Sequence, residues 1–175
     1  KIQWVRTHMP VLNTIEKEFM RDRPLAGTRI ALSIHMEAKT AYMALVLKAG
    51  GAEVYATGCN PLSTQDDVAA ALAQEVEVFA VHGVNQEEYI RHLCCTLENK
   101  PHQIIDDGGD LVSLLHGQSG QCAVNMRGGA EETTTGVLRL RARQKAGELD
   151  FPMIAVNDAM SKYLFDNRYG TGQSV

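Results

Sequence analysis

The chain has 175 residues, of which 45% are hydrophobic and 22% charged, with 15 Gly, 5 Pro, 4 Cys and a formal net charge of -4. That composition suits one globular domain able to bury roughly two thirds of its unfolded surface, and it argues against disorder. Acidic and basic residues are interspersed without a basic run, which excludes the usual footprint of a nucleic-acid or membrane-surface protein, and apolar runs such as 41–47 fall well short of the ~20 residues of a membrane helix.

In chain order, Pro10 opens an amphipathic helical pattern through Leu12, Ile15 and Phe19 up to the break at Arg23-Pro24. Residues 29–34 read as a strand and 38–48 as a helix stopped by Gly50-Gly51. A second strand at 53–57 leads to Ser63 and Asp66, spaced as a capping box before an alanine-rich helix. A third strand at 78–81 leads to a helix capped by Asn85, with Glu88 three residues on. A fourth at 103–105 runs through Asp-Asp-Gly-Gly into a helix over 111–115. Residues 124–126 read as a fifth strand before a helix over 131–146, and 153–156 as a sixth before a helix over 159–165.

Six strand-then-helix units predict a doubly wound α/β domain: a mostly parallel, Rossmann-like sheet with helices on both faces, lacking the G-x-G-x-x-G dinucleotide fingerprint. Ligands of such sheets bind beyond the C-terminal strand ends. The residues expected there are His35, Glu37 and Lys39, then Cys59 and Asn60, His82, the Asp106–Asp107 pair, Glu131 and Glu132 with three threonines, and Asn157, Lys162 and Asp166. Each has a structural alternative. Asp-Asp-Gly-Gly-Asp also suits a tight turn, Glu131-Glu132 a helix start, Lys162 and Asp166 a solvated surface pair, and His35 or His82 a hydrogen-bonded structural histidine. Three consecutive threonines are poor helix formers and fit a polyol-binding surface better. Together these groups suit a small hydroxyl-rich ligand, such as a nucleoside or sugar, and proton transfers to it. No G-x-S-x-G elbow is present, so serine acyl transfer has little support. Cys59, Cys94, Cys95 and Cys122 form no C-x-x-C pair, so no metal site is expected, and scattered thiols suit a reducing cytoplasm.

At these same residues the chain closely resembles the S-adenosyl-L-homocysteine hydrolases, the adenosylhomocysteinase family. The resemblance is carried by Arg6-Thr-His-Met-Pro10, Ile34-His-Met36, Cys59-Asn60, Leu62-Ser-Thr-Gln-Asp66, Asp106-Asp-Gly-Gly-Asp-Leu111, Glu131-Glu-Thr-Thr-Thr-Gly136, Val156-Asn-Asp158, and Lys162 through Asp166-Asn167 with Tyr169-Gly170. It spans about 4–174, in order and at the family's spacing. It implies reversible hydrolysis of S-adenosylhomocysteine to adenosine and homocysteine with tightly held NAD: oxidation of the ribose 3′-hydroxyl, loss of the 4′ proton, elimination of homocysteine, addition of water and reduction.

By that resemblance Lys162 and Asp166 accept the 3′-hydroxyl proton and hold the ribose, and Glu132 binds the ribose hydroxyls. Asp107 is an acid/base beside the 4′ and 5′ positions, and His35 stands near the departing sulfur. Thr133, Thr134, Thr135 and Asn167 contact the nicotinamide end of NAD. Glu37 and Lys39, where many members have Thr and Glu or Gln, face the purine. A carboxylate accepts and a lysine only donates, so adenine is the default base and an inosine-type base a live variant.

The implied organisation is an N-terminal helical segment over 1–23, a substrate-binding domain over 24–167, and at 168–175 the start of a connection to the family's NAD domain. The start at Lys1 and the glycine-rich close fit a piece of a longer, homotetrameric, cytoplasmic enzyme, inactive alone. A stand-alone nucleoside-binding or interaction domain is the other possibility.

Overall fold

A computed structural model describes residues 1–170 and 172. Six strands, β1 Arg29–Ser33, β2 Glu53–Thr57, β3 Glu77–Phe79, β4 Gln103–Asp106, β5 Gly128–Glu131 and β6 Met153–Ala155, form one sheet in the order β3-β2-β1-β4-β5-β6. Every pairing is parallel. The chain therefore has the α/β, Rossmann-like fold expected, with the strand order reversing between β1 and β4.

Alternation along β1 builds two cores. Ile30 and Leu32 face helices α1 Ile2–His8, α2 Pro10–Asp22, α3 Ala38–Ala49 and α4 Asp66–Leu72. Ala31, with Ile104 of β4, faces α5 Gln86–Glu98, α6 Asp110–Leu115 and α7 Thr134–Ala146. Helix α3 is apolar around most of its circumference, with Ala41, Tyr42, Ala44 and Val46 buried, because α1 and α2 cover its outer side. An ion pair between Arg6 and buried Glu16, with the Tyr42 hydroxyl donating to Glu16 Oε2 at 2.9 Å, ties the three helices together.

Helix α1 lies within the helical segment expected over 1–23, ahead of the amphipathic pattern, and α2 begins at Pro10 and ends with Arg23 in the left-handed region at φ 44°, at the predicted break. Asn85 caps α5, its Oδ1 accepting from Glu88 N at 2.9 Å. The capping box at Ser63 does not form. Ser63 belongs to a 3₁₀ turn, Pro61–Ser63, and its hydroxyl donates to Asn60 O, while Asp66 accepts from His82 N at 2.7 Å.

The fifth strand is also displaced. The residues expected as a strand at 124–126 fall at the end of a 3₁₀ turn, Gly120–Asn125, and the strand is Gly128–Glu131. Two glycines look like a loop, but close packing demands them: a Cβ on Gly129 would lie 2.5 Å from Ile104 Cγ1 and 2.9 Å from Met153 Sδ. Consequently α7 starts at Thr134, not at 131, with Thr133 as its cap. After β6, a short turn Val156–Asp158 leads to a π-helical segment Lys162–Gly170 in place of the helix expected over 159–165. The predicted connection over 168–175 lies partly outside the described residues, at 171 and 173–175.

Candidate functional site

Strand register aligns Thr57, Ser33, Asp106 and Glu131 across the C-terminal rim of the sheet, and all four are at most 1% exposed. Asp106 is anchored by Asp107 N to Oδ1 and Val112 N to Oδ2, both at 3.1 Å. Glu131 Oε1 accepts from Gly108 N, Thr133 N and Thr133 Oγ1, each at 2.9 Å. Burial, with the charges of Glu131 and Asp110 behind it, pushes the Asp106 carboxyl up to about 8 against the pull of those backbone donors. Each buried carboxylate thus holds a loop, and the residue after it is turned outward.

Those outward residues make two clusters. At the β1–β4 switch, His35 Nε2 lies 3.6 Å from Asp107 Oδ2, and its Nδ1 is 2.5 Å from Ser63 Oγ. Cys59, from the end of β2, directs its Sγ to the same Asp107 oxygen at 3.4 Å. Burial first, and then Asp107, pushes the Cys59 thiol far up, so it stands there as a neutral donor. His35, Cys59 and Asp107 each present a ligand atom within 4.8 Å of the others. The expectation of no metal site followed from local cysteine spacing, which cannot register three donors from three separate strand ends.

In the second cluster Lys162 Nζ donates to Asn157 Oδ1 at 2.9 Å and lies 3.6 Å from Glu132 Oε1. Thr134 Oγ1 donates to the same Asn157 oxygen at 3.0 Å. The Glu132 carboxyl is raised by burial and by the charges of Asp107 and Asp166, with Lys162 opposing. Lys162 reaches Glu132 and Asn157, while Asp166 and Asn167 are exposed further along the π-helical segment.

Beside Glu132 of the second cluster opens an apolar cavity of about 770 Å³, walled by Ile34, Met43, Ile105 and Val156 and lined also by Glu37, Lys39 and Thr40. Lys39 Nζ pairs with Glu37 Oε1 at 3.2 Å. The turn between α1 and α2, from His8 to Leu12, closes one flank. The residue pattern gave no sign of that contribution, since Pro10 and Leu12 read as the start of an amphipathic helix; only the resemblance, through Arg6-Thr-His-Met-Pro10, marked the segment. Of the threonines, Thr133 is consumed locally, since its Oγ1 accepts from Gly136 N at 3.0 Å, while Thr134 and Thr135 are exposed at the start of α7. His82 stays outside the site, with Nδ1 3.0 Å from Thr64 O. Among the described residues no helix is long and apolar enough to cross a membrane.

The model of the family described as S-adenosyl-L-homocysteine hydrolase matches residues 1–123 and 116–169. The chain is similar to an S-inosyl-L-homocysteine hydrolase of Methanocaldococcus jannaschii, 54% identical, and to adenosylhomocysteinases of Pyrococcus abyssi, 55% identical, and Aquifex aeolicus, 52% identical. Each match covers 100% of this chain and 42% of the relative, so the chain spans well under half the length of these proteins. With the family's model matched over nearly its whole length, this chain belongs to the S-adenosyl-L-homocysteine hydrolase family.

Proposed function

We propose that the chain is the substrate-binding part of an enzyme that reversibly hydrolyses S-adenosylhomocysteine to adenosine and homocysteine. One observation carries this: a single apolar cavity has an acceptor–donor pair, Glu37 and Lys39, on one flank and Glu132 beside Lys162 on another. A cavity of about 770 Å³ with few polar groups at fixed places is suited to a nucleoside, whose flat base takes the apolar walls. Lys162 and Glu132 lie where they can bind a vicinal diol and take its proton. Asp107, beside the His35 imidazole, supplies acid/base capacity at the other cluster, toward the ribose carbons that carry the thioether.

NAD, when bound, supplies the hydride acceptor for the 3′ carbon. The residues present fit its polar end: Thr135 is exposed at the N-terminus of α7, exposed Thr134 keeps acceptor capacity while its hydroxyl donates to Asn157, and exposed Asn167 adds an amide. Thr133 fits less well, because its hydroxyl already donates to Glu131 and caps the helix. In this proposal residues 24–167 are the substrate domain, 1–23 its helical cover, and 168–175 lead toward the NAD-binding part of the longer protein.

A second reading of the base is favoured by Lys39. Adenine presents an amine donor next to the N1 acceptor, whereas a 6-oxopurine presents an oxygen acceptor next to an N1–H donor. A carboxylate and an ammonium 3.2 Å apart complement both patterns, in opposite order. Calorimetric titration of the chain with adenosine and inosine tests both. Tighter adenosine supports the first reading, tighter inosine moves the assignment to the 6-oxo base, and binding of neither overturns the proposal. Hydrolysis by this chain alone with added NAD would overturn its being only the substrate-binding part.

A further inference from the structure

The side-chain cluster at the β1–β4 switch has a second capacity. We infer that His35, Cys59 and Asp107 form a site for one borderline-soft divalent cation of the zinc type. The donor set is an imidazole nitrogen, a sulfur and a carboxylate oxygen, the ligand types such an ion takes. Bond lengths of about 2.0–2.3 Å in a tetrahedron place neighbouring ligand atoms about 3.4–3.6 Å apart. Two edges already have that length: Cys59 Sγ to Asp107 Oδ2 is 3.4 Å and His35 Nε2 to Asp107 Oδ2 is 3.6 Å. The remaining edge is within 4.8 Å, and a small turn of the exposed His35 ring closes it.

A second observation comes from behind the ligands. His35 Nδ1 is engaged by Ser63 Oγ at 2.5 Å, which aims Nε2 at the site, as outer-shell partners of metal-bound histidines do. Tyr89 Oη lies 3.0 Å from Cys59 O and 2.9 Å from Asp110 Oδ2, its one proton shared between them, holding the backbone that presents the thiol. On coordination the thiol proton passes to solvent, and three protein ligands leave a fourth position for water. An ion there occupies His35 and Asp107, the groups that act on the nucleoside in the proposed function, so it switches the site off; this consequence alone rests on that proposal.

The test uses the reduced, metal-stripped chain and Co²⁺ as a spectroscopic probe. One equivalent of Co²⁺ should produce a sulfur-to-metal charge-transfer band that one equivalent of Zn²⁺ removes. Cys59→Ser should abolish the band, and His35→Asn and Asp107→Asn should each weaken Zn²⁺ binding at least tenfold, with Ser63→Ala weakening it roughly tenfold. Cys94→Ser and Cys95→Ser should leave both unchanged. His35 is exposed, so its variant remains informative even where a Cys59 variant folds poorly. No stoichiometric binding, a band that survives Cys59→Ser, or one lost with Cys94→Ser or Cys95→Ser would overturn the site. Nucleoside titration with and without Zn²⁺ separates the two proposals: binding without metal that survives saturating Zn²⁺ removes the switch, and no binding in either condition removes the nucleoside proposal while the cobalt band still decides the metal site.

Discussion

Two carboxyl pairs stand one residue apart at the ends of the same two strands, one closing the strands and the other just beyond them, in opposite surroundings. Asp106 and Glu131 face each other in register, fully buried, with both Asp106 oxygens and Glu131 Oε1 engaged by the loops that follow, while Glu131 Oε2 has no hydrogen-bond partner. Asp107 and Glu132 are next along the chain and face the imidazole, the thiol, the lysine and the cavity. The inner pair positions the loops, and the outer pair presents its carboxylates to the candidate site. A strand alternates faces, and the last residue of a buried strand has its neighbours on every side, so a one-residue step at the rim separates scaffold from chemistry.

The largest effect should come from the inner pair. Glu131→Ala leaves Gly108 N, Thr133 N and Thr133 Oγ1 without their acceptor inside the protein, and should cost about 3 kcal/mol in urea unfolding. Gly136→Ala should act through the same carboxylate, because its Cβ would fall 2.1 Å from Glu131 Cδ. The double variant should therefore lose less than the sum of the two singles. A loss below about 1 kcal/mol for Glu131→Ala would collapse the distinction between the pairs.

Next in size is the outer pair. Glu132→Gln should weaken nucleoside binding about tenfold, near 1.4 kcal/mol, while changing stability by less than about 0.5 kcal/mol. Equal nucleoside affinity for both forms would take Glu132 out of the site.

The inner pair also carries a pH signature. The folded Asp106 carboxyl, at about 8, lies above its unfolded value near 4, so the native state holds a proton that the unfolded chain releases. Stability from this group falls as pH rises from about 4 to about 8, by about 1.4 kcal/mol per unit, and levels off above that. Asp106→Asn should flatten this slope in unfolding curves taken between about pH 6 and about pH 8, whatever it does to their height. An unchanged slope would place the Asp106 proton elsewhere.

How much of this was legible follows from the same contrast. The alternation of β-branched runs with helical patterns exposed the α/β architecture, and polarity after each strand exposed the site's composition. Doublets such as Asp106-Asp107 and Glu131-Glu132 hide which member turns outward, because that depends on register, and register depends on long-range pairing. The family resemblance, not the residue pattern, singled out Asp107 and Glu132. Glycines disguised β5, since the close approach of Ile104 and Met153 that requires Gly129 has no local sequence signal. Cys59 and Asp107 meet across 48 residues and His35 and Ser63 across 28, distances at which no spacing rule for metal or catalytic sites operates.

The smallest expected effect tests where the boundary between scaffold and chemistry runs within the threonines. Thr133 hydrogen-bonds in two directions, donating to Glu131 Oε1 and accepting from Gly136 N, so it belongs with the inner pair. Thr133→Ala should cost about 1 kcal/mol, the usual worth of a helix cap, and Thr133→Ser should restore most of it because only the hydroxyl is used. Thr135, exposed one turn-step further on, has no such scaffold duty to lose, and Thr135→Ala should leave unfolding within about 0.5 kcal/mol of the parent. If Thr133→Ala unfolds like Thr135→Ala, the cap contributes nothing, and the scaffold ends at Glu131 with all three threonines on the side of the chemistry.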